Sequence, residues 1–133
     1  MITGKYPNLR LRRNRKSGWS RRLIQENTLS SNDFILPIFL IEGKNKKEKI
    51  KSMPDVYRYS IDRINQIVDK AIKSKIPMLA LFPKIKSKLK NEIGSEALNS
   101  ENLVCKAILE IKKRYKNQIG IMCDVALDPY TSH

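Results

Sequence analysis

Three apolar segments, separated by two segments of helical periodicity, constrain the fold of this chain most strongly. The apolar segments are residues 34–41, 76–83 and 119–127. Nearly continuous apolar runs of this length are typical of strands buried on both faces of a sheet. Pro37 donates no ladder hydrogen bond and argues against a central strand, so we expect the first strand to begin at or after it.

The two intervening segments carry apolar residues at helical spacing. These residues are Ile61, Ile64, Ile67, Val68, Ala71 and Ile72, and then Leu103, Val104, Ala107, Ile108 and Ile111. Ser60 predicts an N-cap, and Asp62 would favour the dipole of the first turn. Residues 42–54 predict a loop. The order β-α-β-α-β predicts a parallel sheet with right-handed crossovers, in a doubly wound sheet or a (β/α)₈ barrel.

The last segment, residues 124–133, runs from an apolar strand into polar and ionisable groups. In a strand, Asp124, Ala126 and Asp128 share one face, and Cys123 and its alternating neighbours face the other way. Because catalytic residues gather at the C-terminal ends of barrel strands, this segment predicts the rim of an active site. No glycine-rich turn follows the first strand, so nothing there indicates dinucleotide or phosphate binding.

Composition indicates one globular domain of 133 residues, with 41% hydrophobic and 30% charged residues. The apolar runs are too short to span a bilayer, and no apolar core follows the N-terminal charges, so no secretory signal is expected. Cys105 and Cys123 give no disulfide framework and fit a reducing compartment. We therefore expect a cytoplasmic protein.

Residues 1–33 are predicted to form a basic arm, distinct from residues 34–133. Eight basic residues and no acidic one lie between Lys5 and Arg22, and the whole chain has a net charge of +14. An amphipathic stretch over residues 19–27 predicts a helix that docks on another surface; the alternative is a disordered tail. The later lysine runs are interpreted as solvated surface.

Several motifs occur in order along the chain. They are residues 10–13 (RLRR), 35–39 (ILPIF), 42–43 (EG), 52–54 (SMP), 56–58 (VYR), 80–83 (ALFP), 94–97 (GSEA) with Asn99, and 124–133 (DVALDPYTSH). With these motifs the chain resembles the porphobilinogen synthase family, also called delta-aminolevulinic acid dehydratase. One departure is Asp55, where the family usually has glycine, a difference that would strain that turn.

The resemblance implies the N-terminal part of a TIM (β/α)₈ barrel, preceded by an arm that embraces a neighbouring subunit in a homo-oligomer, often an octamer. It also implies condensation of two 5-aminolevulinate molecules to porphobilinogen in tetrapyrrole and haem synthesis. The family's two Schiff-base lysines lie on later strands, beyond His133. No lysine of this chain matches them, so we expect the 133-residue chain alone to be inactive and poorly soluble. Arg10, Arg12 and Arg13 would contact the neighbouring subunit.

The resemblance also bears on the metal. Zinc-dependent members place cysteines at the positions of Ala126 and Asp128, so we expect no catalytic zinc here and a response to Mg²⁺, with K⁺ as a further ion. Cys123 would face the helices and cannot replace those thiolates. Asp128 would bind metal or water, or only order its loop.

Asp124 matches an active-site aspartate of the family. It would help to position a substrate amine or a catalytic lysine; the alternative is a structural pair with an arginine or lysine. The four residues Tyr130, Thr131, Ser132 and His133 would shape the loop after the strand.

A basic nucleic-acid-binding module is the alternative function. Tyr6 and Trp19 are the only aromatic residues near the N-terminal basic cluster, too few for a stacking platform. No recognition motif accompanies them, so we expect no specific nucleic-acid partner.

Overall fold

A parallel sheet covered by two helices on one face forms the body of the chain. The computed structural model describes residues 4–10 and 12–132. The strands are β1 (Ile35–Ile41), β2 (Lys47–Lys49), β3 (Tyr57–Tyr59), β4 (Met78–Lys84) and β5 (Gly120–Cys123), and the α-helices are α1 (Gly18–Leu23), α2 (Asn65–Lys73) and α3 (Leu103–Tyr115). The sheet order is β2-β3-β1-β4-β5, with β1, β3, β4 and β5 parallel. This arrangement confirms the predicted α/β class.

The core lies between the sheet and helices α2 and α3. Its buried residues are Ile38, Leu40, Ile64, Val68, Ala71, Leu79, Leu81, Leu103, Ala107, Ile111, Tyr115 and Ile119. They are alternate residues of the strands and one stripe of each helix, as the two periodicities require. Between α2 and α3, the Tyr115 hydroxyl donates a 2.7 Å hydrogen bond to Asp69 Oδ1.

Strand β1 begins at Ile35, so the expectation that it starts at or after Pro37 is wrong. Pro37 lies opposite Ala80 of β4, but β1 pairs with β3 only at Phe39 and Leu40. At the level of Pro37, β1 therefore has a strand on one side only. A proline is tolerated at such an edge because no second ladder requires its missing N–H.

The segment predicted as a loop contains a short hairpin. Strands β2 and β3 pair antiparallel, with Glu48 opposite Arg58, and β3 then adds to β1. Three-residue strands are too short for periodicity to reveal, so the sequence analysis missed them. In the connection between them, Asp55 has φ +59°, a conformation that favours glycine, as expected from its place in the family motif.

Ser60 does not cap a helix with its side chain, contrary to prediction. A 3₁₀ turn, Ile61–Arg63, comes first, and α2 starts only at Asn65. The buried Ser60 hydroxyl instead accepts a 2.9 Å hydrogen bond from the Lys46 N–H. Tertiary contact with the hairpin has replaced local capping.

The described part of the arm is exposed. Among residues 4–10 and 12–33 only Ser20 is buried, and helix α1 ends at Leu23 rather than at residue 27 as the amphipathic stretch suggested. Trp19 and Leu23 are 66% and 78% exposed. In the described residues, no helix has the length and apolar character needed to cross a membrane.

Candidate functional site

The C-terminal ends of β1, β4 and β5 meet at one edge of the sheet, because the three strands are parallel and adjacent. Ligands of parallel α/β sheets bind at this edge. The loops that leave it are residues 42–46 after β1, residues 85–102 after β4 and residues 124–132 after β5. The predicted site residues belong to the third loop.

Strand β5 ends at Cys123, so the prediction of a strand to residue 127 is wrong. Met78 to Leu81 of β4 pair with β5, and no described strand continues the ladder beyond Cys123. The strict alternation expected of Asp124, Ala126 and Asp128 therefore does not apply. These residues lie in an irregular segment that leads into a turn at residues 128–130.

Asp124 lies directly after β5 and is exposed. Its carboxylate has no hydrogen-bond or ion-pair partner within residues 4–10 and 12–132. The structural pair with an arginine or lysine, the alternative role for Asp124, is thus not formed among these residues. A free carboxylate at a strand end can accept hydrogen bonds from an ammonium group.

Asp128 is also exposed, and its backbone carbonyl accepts a 3.4 Å hydrogen bond from the Thr131 hydroxyl. No group of three or more His, Cys, Asp or Glu residues that could hold a metal ion occurs in the described part of the chain. Asp128 therefore offers a single carboxylate. A magnesium ion is commonly bound through one or two carboxylates and several waters, so Asp128 alone would supply only part of a site.

Cys123 packs against the helix-facing core, as predicted from its place in the strand. Burial raises the pKa of its thiol, and the neighbouring Cys105 raises it further. A partly buried thiol with a raised pKa is a poor metal ligand, because the thiolate is the ligand form.

The loop after β5 is fixed by the loop after β4, a contact that the sequence analysis missed. Asn91 donates its backbone N–H to the carbonyl of Tyr130 at 3.3 Å, and its own carbonyl accepts from the N–H of Ser132 at 3.1 Å. Tyr130 is buried, which raises the pKa of its phenol. Thr131 and Ser132 lie in this loop as expected, whereas His133 lies outside the described residues.

Gly94 lies where these two loops approach each other. Its φ is +63°, and a Cβ atom there would lie 3.4 Å from Thr131 Cγ2 and 3.5 Å from Leu127 Cδ2. These are ordinary van der Waals distances, so it is the left-handed backbone conformation that favours glycine here. Gly94 belongs to the GSEA motif. The structure therefore places this motif against the loop after β5.

A second missed group is a charged cluster at the ends of β1 and β4. Glu48 Oε1 accepts from Arg58 Nη1 at 2.9 Å and from Lys84 Nζ at 2.8 Å. The hydrogen bond from Lys84 is the main reason that the pKa of Glu48 lies below its ordinary value. Beside this cluster, Lys86 forms an ion pair with Glu42. Residues 36 positions apart meet here, so no local pattern could predict the contact.

Comparison with known proteins identifies the family. The sequence profile described as "Delta-aminolevulinic acid dehydratase" matches residues 8–133. The chain is 52% identical over 125 residues to the delta-aminolevulinic acid dehydratase of Bradyrhizobium diazoefficiens and 40% identical over 124 residues to that of Chlamydia pneumoniae. These alignments cover 94% and 93% of the chain, but only 35% and 37% of the two relatives.

A solved structure agrees with the sequence matches. The crystal structure of delta-aminolevulinic acid dehydratase (porphobilinogen synthase) from Toxoplasma gondii ME49, in complex with the reaction product porphobilinogen, superposes with a TM-score of 0.83 at 35% identity. The match covers 93% of this chain and 35% of that protein. It confirms the expected fold, that of part of a porphobilinogen synthase barrel.

Proposed function

Because this chain belongs to the delta-aminolevulinic acid dehydratase family, we propose that it contributes to a porphobilinogen synthase, which condenses two molecules of 5-aminolevulinate to porphobilinogen with loss of water. The superposition on an enzyme that holds this product carries the proposal. The chain would supply three parallel barrel strands, β1, β4 and β5, together with the loops at their C-terminal ends. The family's Schiff-base lysines would come from the part of the barrel that this chain does not match.

Asp124 is the residue of this chain that we place nearest the chemistry. Its exposed carboxylate is free of other partners in the described structure and lies at the C-terminal end of a barrel strand. There it would accept hydrogen bonds from the ammonium group of a substrate or from a catalytic lysine. This contact would orient the amine and stabilise its charged form until a base removes the proton.

We further propose that the enzyme responds to Mg²⁺, possessing no thiolate site for zinc. The support is chemical: Ala126 and Asp128 stand where zinc-dependent members carry cysteines, and Cys123 faces the core. The carboxylate of Asp128 would bind a magnesium-held water or the ion itself, with the remaining ligands supplied from outside this chain. When bound, such an ion supplies positive charge near the carboxylates of the site.

For the arm we propose a role in assembly. Trp19 and Leu23 are largely exposed on α1, and such apolar side chains on a short basic helix are suited to contact with another subunit. Arg10, Arg12 and Arg13 would add charged contacts at the same interface. The proposed setting is a cytoplasmic homo-oligomer, an octamer by analogy with the family.

Co-expression tests the proposed function directly. The chain would be expressed alone and together with the part of the Bradyrhizobium diazoefficiens relative that it does not match, and porphobilinogen formation measured with 5-aminolevulinate and Mg²⁺. We expect activity from the pair and none from either piece. Activity of the purified chain alone would refute the proposal that the Schiff-base lysines come from the other part of the barrel. A stable but inactive pair would refute the proposed activity.

Two variants of the co-expressed pair separate the roles of the carboxylates. Asp124→Asn should lower kcat by about 100-fold, as expected for loss of a charge that acts on the reacting amine. Asp128→Asn should leave kcat at saturating Mg²⁺ nearly unchanged and raise the Mg²⁺ concentration needed for half-activation. Equal losses in both variants at every Mg²⁺ concentration would contradict this assignment.

A further inference from the structure

A basic cavity lies at the C-terminal ends of β1 and β4, apart from the loop that carries Asp124. Its volume is about 240 Å³, and Ile41 and Ile85 form its apolar part. The charged residues that line it are Lys46, Lys84, Lys86, Glu42 and Glu48. Arg58 also contacts Glu48, so four cations meet two carboxylates. The surplus positive charge leaves this cavity suited to an anion.

Ser60 fixes the backbone of Lys46 beside the cavity, and Gly43 leaves room for its side chain. The buried Ser60 hydroxyl accepts from the Lys46 N–H at 2.9 Å and donates to its carbonyl at 3.2 Å. Gly43 has φ +122°, and a Cβ atom there would lie 2.7 Å from Lys46 Cε. Glycine therefore leaves the space that the Lys46 side chain occupies. No carboxylate in the described structure pairs with the Lys46 ammonium.

Lys84 is positioned by the sheet and by Glu48. It is opposite Ile41 in the parallel register and therefore lies on the face of the sheet that the helices do not cover. Its ammonium donates to Glu48 Oε1, as does Arg58, so two cations share one carboxylate oxygen. An ammonium group has three N–H donors, which leaves Lys84 able to bind a second acceptor.

We propose that this cavity binds a small carboxylate, with the ammonium groups of Lys46 and Lys84 as its charged contacts. The position agrees with the general location of ligands in parallel sheets, outside the carboxyl ends of the strands. The volume suits a molecule of a few non-hydrogen atoms. The carboxylate of 5-aminolevulinate is one source of this chemistry, and only that assignment of the source rests on the proposed function.

Calorimetric titration of the 133-residue chain at low ionic strength tests the site. The probes are 5-aminolevulinate, succinate and inorganic phosphate. We expect both carboxylates to bind more tightly than phosphate, and Lys46→Gln and Lys84→Gln each to weaken binding by about tenfold, as for loss of a charge-assisted hydrogen bond. Lys88→Gln is the control. It removes an exposed charge from the loop after β4, outside the cavity, and should change the affinity by less than about twofold.

Three outcomes would overturn the site: no carboxylate binding, phosphate binding as tight as carboxylate binding, or equal losses in the Lys88 and Lys84 variants. Circular dichroism establishes that each variant is folded. Gly43→Ala is a second test of the role of Lys46. The added methyl group should displace the Lys46 side chain and weaken binding as much as Lys46→Gln does. Succinate binding through Lys46 and Lys84, combined with an inactive co-expressed pair, would leave the site standing and refute the enzymatic proposal alone.

Discussion

The two faces of the sheet are made by the same strands and differ sharply in burial. On the face covered by α2 and α3, Leu40 and Leu79 are 0% exposed. On the other face, Ile35, Phe82 and Met122 are 46%, 37% and 44% exposed. Phe39 and Phe82 stack there with ring centroids 5.7 Å apart, so the open face has side-chain contacts of its own.

The covered face holds the described chain together. The open face is suited to contact with another part of a protein. Alternate residues of the strands build the core together with the helices, and their burial from water stabilises the fold. Of the apolar residues between them, Ile41 and Ala80 are buried, whereas Ile35, Phe82 and Met122 are exposed. An apolar sheet face of this kind marks a contact surface, which agrees with the match to part of a larger barrel.

Truncating one residue on each face is the strongest test of this contrast. Leu79→Ala removes a fully buried side chain and should lower the free energy of unfolding by about 3 kcal/mol. Phe82→Ala removes a larger side chain that is partly exposed, and should cost about 1 kcal/mol, mainly from its stacking on Phe39. Urea denaturation of the isolated chain measures both. Equal losses would mean that the open face is covered in solution.

The link between α2 and α3 sharpens the description of the covered face. Tyr115→Phe removes the hydroxyl that donates to Asp69, with an expected loss of about 1 kcal/mol. Burial, followed by the effect of Asp69, raises the pKa of Tyr115 to about 12 from 10.0. The folded state therefore favours the neutral phenol, and this stabilisation is present below pH 10 and lost between pH 10 and 12.

The measurement is the difference in unfolding free energy between the native chain and the Tyr115→Phe variant across that range of pH. The two curves should converge as the phenol ionises, since phenylalanine has no proton to lose. All other side chains are the same in the two proteins, so their contributions cancel in the difference. A constant difference from pH 9 to pH 12 would contradict the role assigned to the hydroxyl.

A charge on the open face should change association more than stability. Met122→Lys places an ammonium group on the exposed face of β5, where we expect a change in unfolding free energy below about 0.5 kcal/mol and less self-association. Ile121→Lys is the matched control, because the neighbouring side chain packs against the core and its replacement should prevent folding. Sedimentation velocity reports the association. Unchanged association of the Met122 variant would argue against the open face as a contact surface.

Much of the fold was predictable because its main signals are local. Apolar runs and helical stripes predicted β1, β4, α2 and α3 in the right order. The errors arose where non-local contacts decide the structure. Pro37 is tolerated because β3 begins only beyond its level. Ser60 bonds to Lys46 rather than to a helix, and β2 and β3 are stabilised by pairing with each other and with β1.

The candidate site was predictable only in part, and for a related reason. The motif in residues 124–133 identified Asp124 and the loop after β5 directly from the sequence. The two contacts that organise the edge of the sheet, Asn91 with the loop after β5 and Glu48 with Lys84, join residues about 40 positions apart. Such contacts depend on the strand register, which periodicity does not specify.

The smallest effect concerns the charges at the rim of the open face. Lys84 and Arg58 lower the pKa of Glu48 below its ordinary value of 4.5. The folded state therefore favours the carboxylate, so its stabilisation is present above pH 4.5 and lost as the pH falls through the lowered folded-state pKa. Because the Glu48 side chain is 42% exposed, solvent screening keeps the effect small, and added salt should reduce it further.

Glu48→Gln should thus lower the thermal midpoint slightly at pH 6, and this difference should shrink as the pH falls through the lowered folded-state pKa of Glu48, where the native side chain also becomes neutral. Glu92→Gln is the control, because Glu92 is exposed and has no ion pair in the described structure. If the midpoints of the Glu48 variant and the native chain differ equally across that pH range, Glu48 acts between Arg58 and Lys84 through packing and not through its charge. The hairpin would then be held by its strand pairing together with that packing.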